Sequence, residues 1–350
     1  MRRQLTAVGG LVLACVAGMA ILAPLVAPHD PNHMFHGLLN APPTAIHLRD
    51  ANGAWHRPFV HPLVLVNQLE QRYLADETAR VPIAFFANGR LMQSSDDARA
   101  PLLVLGADSF GRDVFGRLLA GARVSLSLAV AAAIVALALG AFVGGVAGYA
   151  GGSVDDILMR ASDFIVILPT IYVVLALRSV LPLVLGARAV FLLLGGIFAV
   201  VGAPLVARGV RAIVRAERHM DYASAAESLG ASRIRVLVRH LLPAAAGFLA
   251  VQITMLVPAF IVAEATLSYV GLGFPDTTAT WGTMLHDATN VRVFADFPWL
   301  LSPAAAIFLV VLALNLFVEG GASSASFASS LSYNSRDDAR RGARAGSDAV

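Results

Sequence analysis

Three groups of residues in this 350-residue chain are of types that could do chemistry. Ser224, His219 and His240 fall close together, and a hydroxyl with imidazoles is the raw material of nucleophilic catalysis. No nucleophile elbow surrounds Ser224, however, and no triad order is present. Six of the nine histidines, His29, His33, His36, His47, His56 and His61, lie early in one segment. Neutral imidazole is a common metal ligand. This spacing matches no closed zinc pattern, and the one cysteine, Cys15, sits in an apolar run. The expectation is scattered surface histidines and no metal site. Arg178, Gln252, Glu264 and Asn315 lie in or near long apolar runs, where ionisable groups are pathway candidates by default. Arg178 and Glu264 fall towards the ends of their runs, so snorkelling of the charge to the membrane surface is the competing reading.

All 26 residues counted as Lys or Arg are arginine. Without lysine there is no phosphate-cradling P-loop and no Schiff-base or catalytic lysine. If ATP drives this protein, another subunit binds it. No catalytic residue, metal site or cofactor is expected in this chain.

The solvent for these residues follows from composition. Apolar residues make up 57% and charged residues 14%, against about 25% charged in a soluble domain. So large an apolar fraction has to face lipid. The net charge of +3 is spread over loops without interleaved aromatics or a recognisable motif, which argues against nucleic acid as a partner. A span needs about 20 mostly apolar residues. Six windows qualify: Val8–Ala27, Val124–Tyr149, Phe164–Leu183, Ala189–Ala207, Leu242–Ala263 and Trp299–Val318. The expected fold is therefore an all-α membrane protein with six transmembrane helices. Arg2 and Arg3 before the first window resemble a secretory signal, but five further spans favour an uncleaved anchor.

Arginine placement sets the orientation. Arg2 and Arg3 precede span one, and Arg208, Arg211, Arg215, Arg218, Arg233, Arg235 and Arg239 lie between spans four and five. The opposite-side loops offer only Arg188 and Arg292. Both termini are expected in the cytoplasm. Inside span two, Gly140, Gly144 and Gly148 recur every fourth residue, a small-residue face for helix packing.

Residues 28–122 are too long for a simple turn and read as a small mixed extracytoplasmic insertion between helices one and two. Asn52-Gly53 and Asn88-Gly89 are hairpin signals. Between them, Val64–Ala79 reads as an amphipathic helix carrying Leu65, Leu69 and Leu74. The domain expectation is an N-terminal helix over 1–27, the insertion over 28–122, a five-helix core over 123–319 and a disordered Ser/Ala/Arg tail over 320–350.

The most informative segment is the inward loop, 209–243. Asp221-Tyr222-Ala223-Ser224-Ala225-Ala226-Glu227-Ser228-Leu229 favours helix, Gly230 supplies a stop, and Ser232 can cap a second helix running into Pro243. Small residues at Ala223, Ala225 and Ala226 would let the first helix sit deep in a partner's groove. Physics alone leaves two readings open, a lever worked by a partner or an ordinary amphipathic connector.

Ala225-Ala226, Gly230 and Leu242-Pro243 resemble the coupling loop of binding-protein-dependent ABC importer permeases, whose pattern is Glu-Ala-Ala, three residues, Gly, and later Leu-Pro. Ser224 stands where that pattern has Glu. Leu105-Gly106-Ala107-Asp108-Ser109-Phe110-Gly111-Arg112-Asp113 and Gly148-Tyr149-Ala150-Gly151-Gly152 with Asp155 are similar to the flanks of span two in oligopeptide/dipeptide/nickel permeases. Leu267-Ser268-Tyr269-Val270-Gly271-Leu272-Gly273, with Trp281-Gly282-Thr283-Met284-Leu285, is similar to their outer loop before the last span. Jointly these resemble the C-type permease subunit of that family.

The resemblance implies a type I ABC importer permease fold in the bacterial inner membrane. It implies a heterodimer with a second permease, two ATPase subunits carrying ATP and Mg, and an extracytoplasmic solute-binding protein. Tyr222, Ala223, Ser224, Ala225, Ala226, Glu227, Leu229, Gly230, Arg233 and Pro243 then form the ATPase-coupling loop, and Gly271, Gly273, Trp281 and Gly282 the outer loop. The implied activity is translocation of an oligopeptide or dipeptide, with nickel or another small solute as the alternative. An ion-driven secondary transporter is the rival class; it lacks support, since no acidic residue is read well inside a span and no clear inverted repeat appears.

Overall fold

A computed structural model describes residues 2–50, 53–180, 185–288 and 296–318. Asn52, Arg292, the Arg178 side chain and the 320–350 tail lie outside the described residues. The chain is a helical membrane protein. Five helices are long and apolar enough to cross a bilayer, and a bent pair makes a sixth span if counted as one.

The chain divides into two units. In the first, residues 2–16 meet residues 308–318. Helix α1 (Arg2–Ile21) brings Gly9 so close to the last described helix that a Cβ there would lie 2.6 Å from the Ala313 carbonyl oxygen.

The second unit holds everything else. After α2 (Ala23–Val26) come six strands: β1 (His47–Arg49), β2 (Trp55–Val60), β3 (Leu63–Asn67), β4 (Arg72–Ala75), β5 (Val81–Ala87) and β6 (Arg90–Ser94). They form an antiparallel sheet in the order β1-β2-β5-β6 and a separate β3–β4 hairpin. Asn88 (φ 52°) and Gly89 (φ 74°) turn β5 into β6, the left-handed pair that a tight hairpin needs. The helix expected over Val64–Ala79 is corrected to β3 and β4. Asn67 ends the first strand by accepting from the amides of Leu69 and Glu70 at 2.9 and 3.2 Å. Val64 and Val66, branched at Cβ, suit a strand better than a helix. The leucine spacing was compatible with either.

Helix α3 (Val114–Ala150) begins inside the stretch assigned from sequence to the insertion. Asp113 caps it, accepting from the Phe115 amide at 3.0 Å. Next come α4 (Gly152–Ile167) and α5 (Thr170–Val180), bent by 83°. The window expected at 164–183 is therefore split, because Pro169 has no N–H and forces Leu168 into extended backbone (ψ 115°). Helix α6 (Ala187–Glu217) runs past Arg208, so the loop that follows is shorter than the 209–243 expected. After α7 (Asp221–Ser228), helical backbone resumes at Arg233 and continues to Tyr269. Within it lie α8 (Arg233–Val236), a π turn (Leu237–Leu241), a 3₁₀ turn (Leu242–Ala245) and α9 (Ala246–Tyr269). The widened and then tightened turns carry the helix past Pro243, which cannot donate. Helix α10 (Trp281–Asp287) follows, and α11 (Pro298–Val318), which runs from this unit into the first, is the last described element.

Gly140, Gly144 and Gly148 face α6. A Cβ on Gly140 would lie 2.7 Å from the Ala203 carbonyl oxygen, and one on Gly148 2.7 Å from that of Arg211. Two backbones touch there, which accounts for the fourfold spacing. Asp155 of α4 takes a paired ion contact from Arg211 of α6, with Nη2 to Oδ2 at 2.5 Å.

His29 departs from the expected surface histidine. It is buried, with Nδ1 3.3 Å from Asp113 Oδ2 and Nε2 3.3 Å from Asp97 Oδ1. Both ring nitrogens can donate to these carboxylates only in the imidazolium form. Burial opposes that charge, but the bonds to Asp113 and Asp97 outweigh it and raise the pKa. The resulting stability is fully present below the unfolded value near ~6.5 and is lost as pH rises through the higher folded value. Asp97 is pulled the other way: burial raises it, the His29 and Gln93 bonds overcome this, and its contribution is lost only in acid. His29→Gln should therefore destabilise the protein in detergent by about 3 kcal/mol near pH 6. Thermal unfolding across pH 5.5 to 8.5 should show the gap to wild type narrowing as pH rises; a gap independent of pH contradicts this. His56 pairs with Asp50 at 3.0 Å, and His61 meets the Ala79 carbonyl at 2.7 Å. Among the described residues no three His, Cys, Asp or Glu side chains gather as a metal site.

Candidate functional site

The segment from α6 to α9 forms an elbow. Helix α7 starts with Asp221, whose charge suits a helix N-terminus. It ends in a Schellman turn: the Gly230 amide donates to Glu227 O and the Ala231 amide to Ala226 O, both at 3.0 Å. Gly230 sits at φ +83°, where a side chain is strained. Ala223 is buried, while Ser224 and Ala225 are exposed. Ser224 therefore presents no carboxylate at the pattern's Glu position. The nearby carboxylate, Glu227, is engaged internally.

Glu227 Oε1 accepts from the Tyr149 hydroxyl at 2.7 Å, tying α7 to the end of α3. Arg218 donates to the Tyr149 carbonyl and lies over its ring, 5.1 Å from the centroid. The Tyr222 hydroxyl donates to Glu217 at 2.5 Å, and this bond raises its pKa to about 12. The elbow is thus held at both ends. The most exposed large apolar side chains on it are Leu229 at 88% and Ile234 at 77%. Ile234 borders a cleft of about 610 Å³ lined by Tyr149, Arg218, Glu227 and Arg233 over Val146 and Leu237.

The second constellation joins α9, α10 and the approach to α3. Helix α9 closes on Gly271 (φ +82°), with the Leu272 amide donating to Leu267 O at 2.8 Å. Trp281 is 1% exposed and donates from its indole to Leu118 O at 3.1 Å. Glu264, read from sequence as a snorkelling candidate, is 0% exposed and bonded to Ser125 and Ser268. That reading is corrected; the partner on α3 lies too far along the chain to be seen in local spacing. Arg112 bridges Asp108 at 2.6 Å and Asp287 at 3.0 Å, and donates to Asp276 O. Burial is the largest influence on Asp287 and lifts its pKa to about 6 against the pull of Arg112. These bonds weld residues 108–117 to the loop at 276–287.

Residues 136–322 match the binding-protein-dependent transport system inner membrane component family, a stretch containing both constellations except the α3 approach. The chain belongs to that family. Residues 1–43 match the N-terminal TM domain of oligopeptide transport permease C. The chain is 36% identical over 216 residues to the oligopeptide transport system permease protein OppC of Bacillus subtilis, covering 61% of this chain and 68% of that one. It is 38% identical over 215 residues to the dipeptide transport system permease protein DppC of the same species, 61% and 65% covered. Against OppC of Lactococcus lactis subsp. cremoris it is 31% identical over 226 residues, 64% and 75% covered. This ABC importer permease is a transport subunit and not an enzyme. Within the permease, the contacts of Tyr149, Arg218, Ile234, Ser125 and Glu264 add to what the sequence showed. Tyr149, Arg218 and Glu264 stood out there as a motif residue, one of a run of arginines and a rare acid near an apolar run, but their partners did not.

Proposed function

We propose that this permease translocates a dipeptide or oligopeptide handed to it by an extracytoplasmic binding protein, within a complex of two unlike permeases and two ATPases. The chain sits in the bacterial inner membrane with both termini cytoplasmic, α7 inside and the strand region outside. The names of its relatives support the peptide, and the arginine asymmetry supports the orientation. The coupling reading rests on one observation: a capped helical elbow fixed to α3 exposes Leu229 at its bend and Ile234 on the helix that runs on into α9.

In this reading the loaded binding protein docks on the 271–285 loop. ATP and Mg, held by the ATPases, close the motor dimer. Leu229 and the small face of Ala225 and Ala226 lie in its groove, so its motion is passed through the Glu227–Tyr149 bond to α3 and through the helix from Arg233 to α9. The path then opens inward. Every covalent step takes place on the motor.

Reconstitution tests this. Proteoliposomes holding the whole complex should accumulate labelled peptide only with ATP and binding protein, and not take up nickel in its place. Uptake by the permease alone under an ion gradient would overturn the reading.

A further inference from the structure

We propose that Glu264 is a positioning residue that fastens the 271–287 loop to α3 and α9, so that a load placed on the loop moves both spans together. This rests on the docking reading of that loop given above. Each Glu264 oxygen accepts one serine hydroxyl: Oε2 from Ser125 of α3 and Oε1 from Ser268 of α9, both at 2.8 Å. Each serine oxygen in turn accepts a loop amide. Trp281 N–H reaches Ser125 Oγ at 3.2 Å, and Phe274 N–H reaches Ser268 Oγ at 3.3 Å. The loop is therefore hung at Phe274 and again at Trp281, where α10 begins, through one hydroxyl each, on a single carboxyl group.

The packing admits no slack. A Cβ on Gly282 would lie 2.6 Å from Ser268 Cβ and 2.8 Å from Ala265 Cα, and one on Gly273 2.7 Å from Ser268 Cα. Two glycines of the outer-loop motif thus let the loop pack directly against Ser268. A sealed carboxyl group in an apolar bundle is unfavourable unless fully bonded. Relayed hydroxyl bonds polarise one another and act as a unit. Loss of the central group releases both attachments at once, whereas loss of a surface contact releases neither.

The test uses the full complex in proteoliposomes and titrates peptide-loaded binding protein against ATP hydrolysis. Glu264→Leu should lower maximal stimulation over the basal rate at least ~10-fold, while the half-stimulating concentration stays within about twofold of wild type. Glu264→Gln, which keeps an acceptor oxygen, should restore most of the stimulation. Ser125→Ala, a near-isosteric change that cuts one arm, should fall between them and decides the matter if Glu264→Leu does not assemble. Full stimulation in Glu264→Leu or Ser125→Ala overturns the proposal, as does a pure shift in the half-stimulating concentration. A wild-type complex that binding protein never stimulates would instead remove the docking reading, and this inference with it.

Discussion

Gly144→Val should abolish the folded permease. A Cβ at this position runs into Ala207, 2.9 Å from its Cα and closer still to its carbonyl oxygen. Those atoms are backbone, so no rotamer change can make room, and α3 must move off α6. Overpacking in a core usually costs about 1–3 kcal/mol. Here two further branches are added, and the neighbouring contacts at Gly140 and Gly148 are pried open with it, so the upper end of that range or beyond is expected. Gly247→Val is the matched control: the space around its Cβ position is open to 4 Å. Size-exclusion profiles and thermal stability in detergent should show loss of monodisperse protein for the first and near wild-type behaviour for the second. Equal behaviour would contradict close α3–α6 contact.

Gly230→Pro should leave insertion intact and uncouple ATP hydrolysis from uptake. Proline fixes φ near ~−65°, against +83° at this residue, and it removes the amide that closes α7 on Glu227. A penalty of about 3 kcal/mol depopulates the bent elbow roughly 100-fold. Transport per ATP should fall by a similar order, with thermal stability little changed because Gly230 is exposed and its Cβ position is open. Ala226→Arg and Leu229→Arg act on the same face without touching the backbone. Losing one buried leucine contact of about 2 kcal/mol weakens motor docking ~30-fold. If these variants transport normally, α7 is an ordinary connector.

Features that depend on local order were legible in the sequence. Long apolar runs announced the spans, the Gly140/Gly144/Gly148 spacing a close helix contact, and Ala225-Ala226 with Gly230 the capped elbow. Features that depend on distant partners were not. Glu264 looks like an end-of-span charge until Ser125, on another helix, is brought beside it. His29 looks like one of many surface histidines until Asp97 and Asp113 close on it. Tyr149 and Glu227 are 78 residues apart, and nothing in either neighbourhood marks the pair. The bend in the third span was hidden for a different reason. A hydropathy window averages over Pro169, whereas the backbone cannot. In the β3–β4 stretch three leucines fitted helical spacing by chance, and the branched residues with Asn67 decided the outcome.

A labelling experiment at Leu229 tests most directly whether the elbow is an inward-facing seat for a separate motor. With Leu229→Cys on a Cys15→Ala background, a membrane-impermeant maleimide should react in inverted vesicles and not in right-side-out ones. Added ATPase subunits should block the reaction. Labelling from the outside, or labelling that the ATPases leave unchanged, would contradict the account.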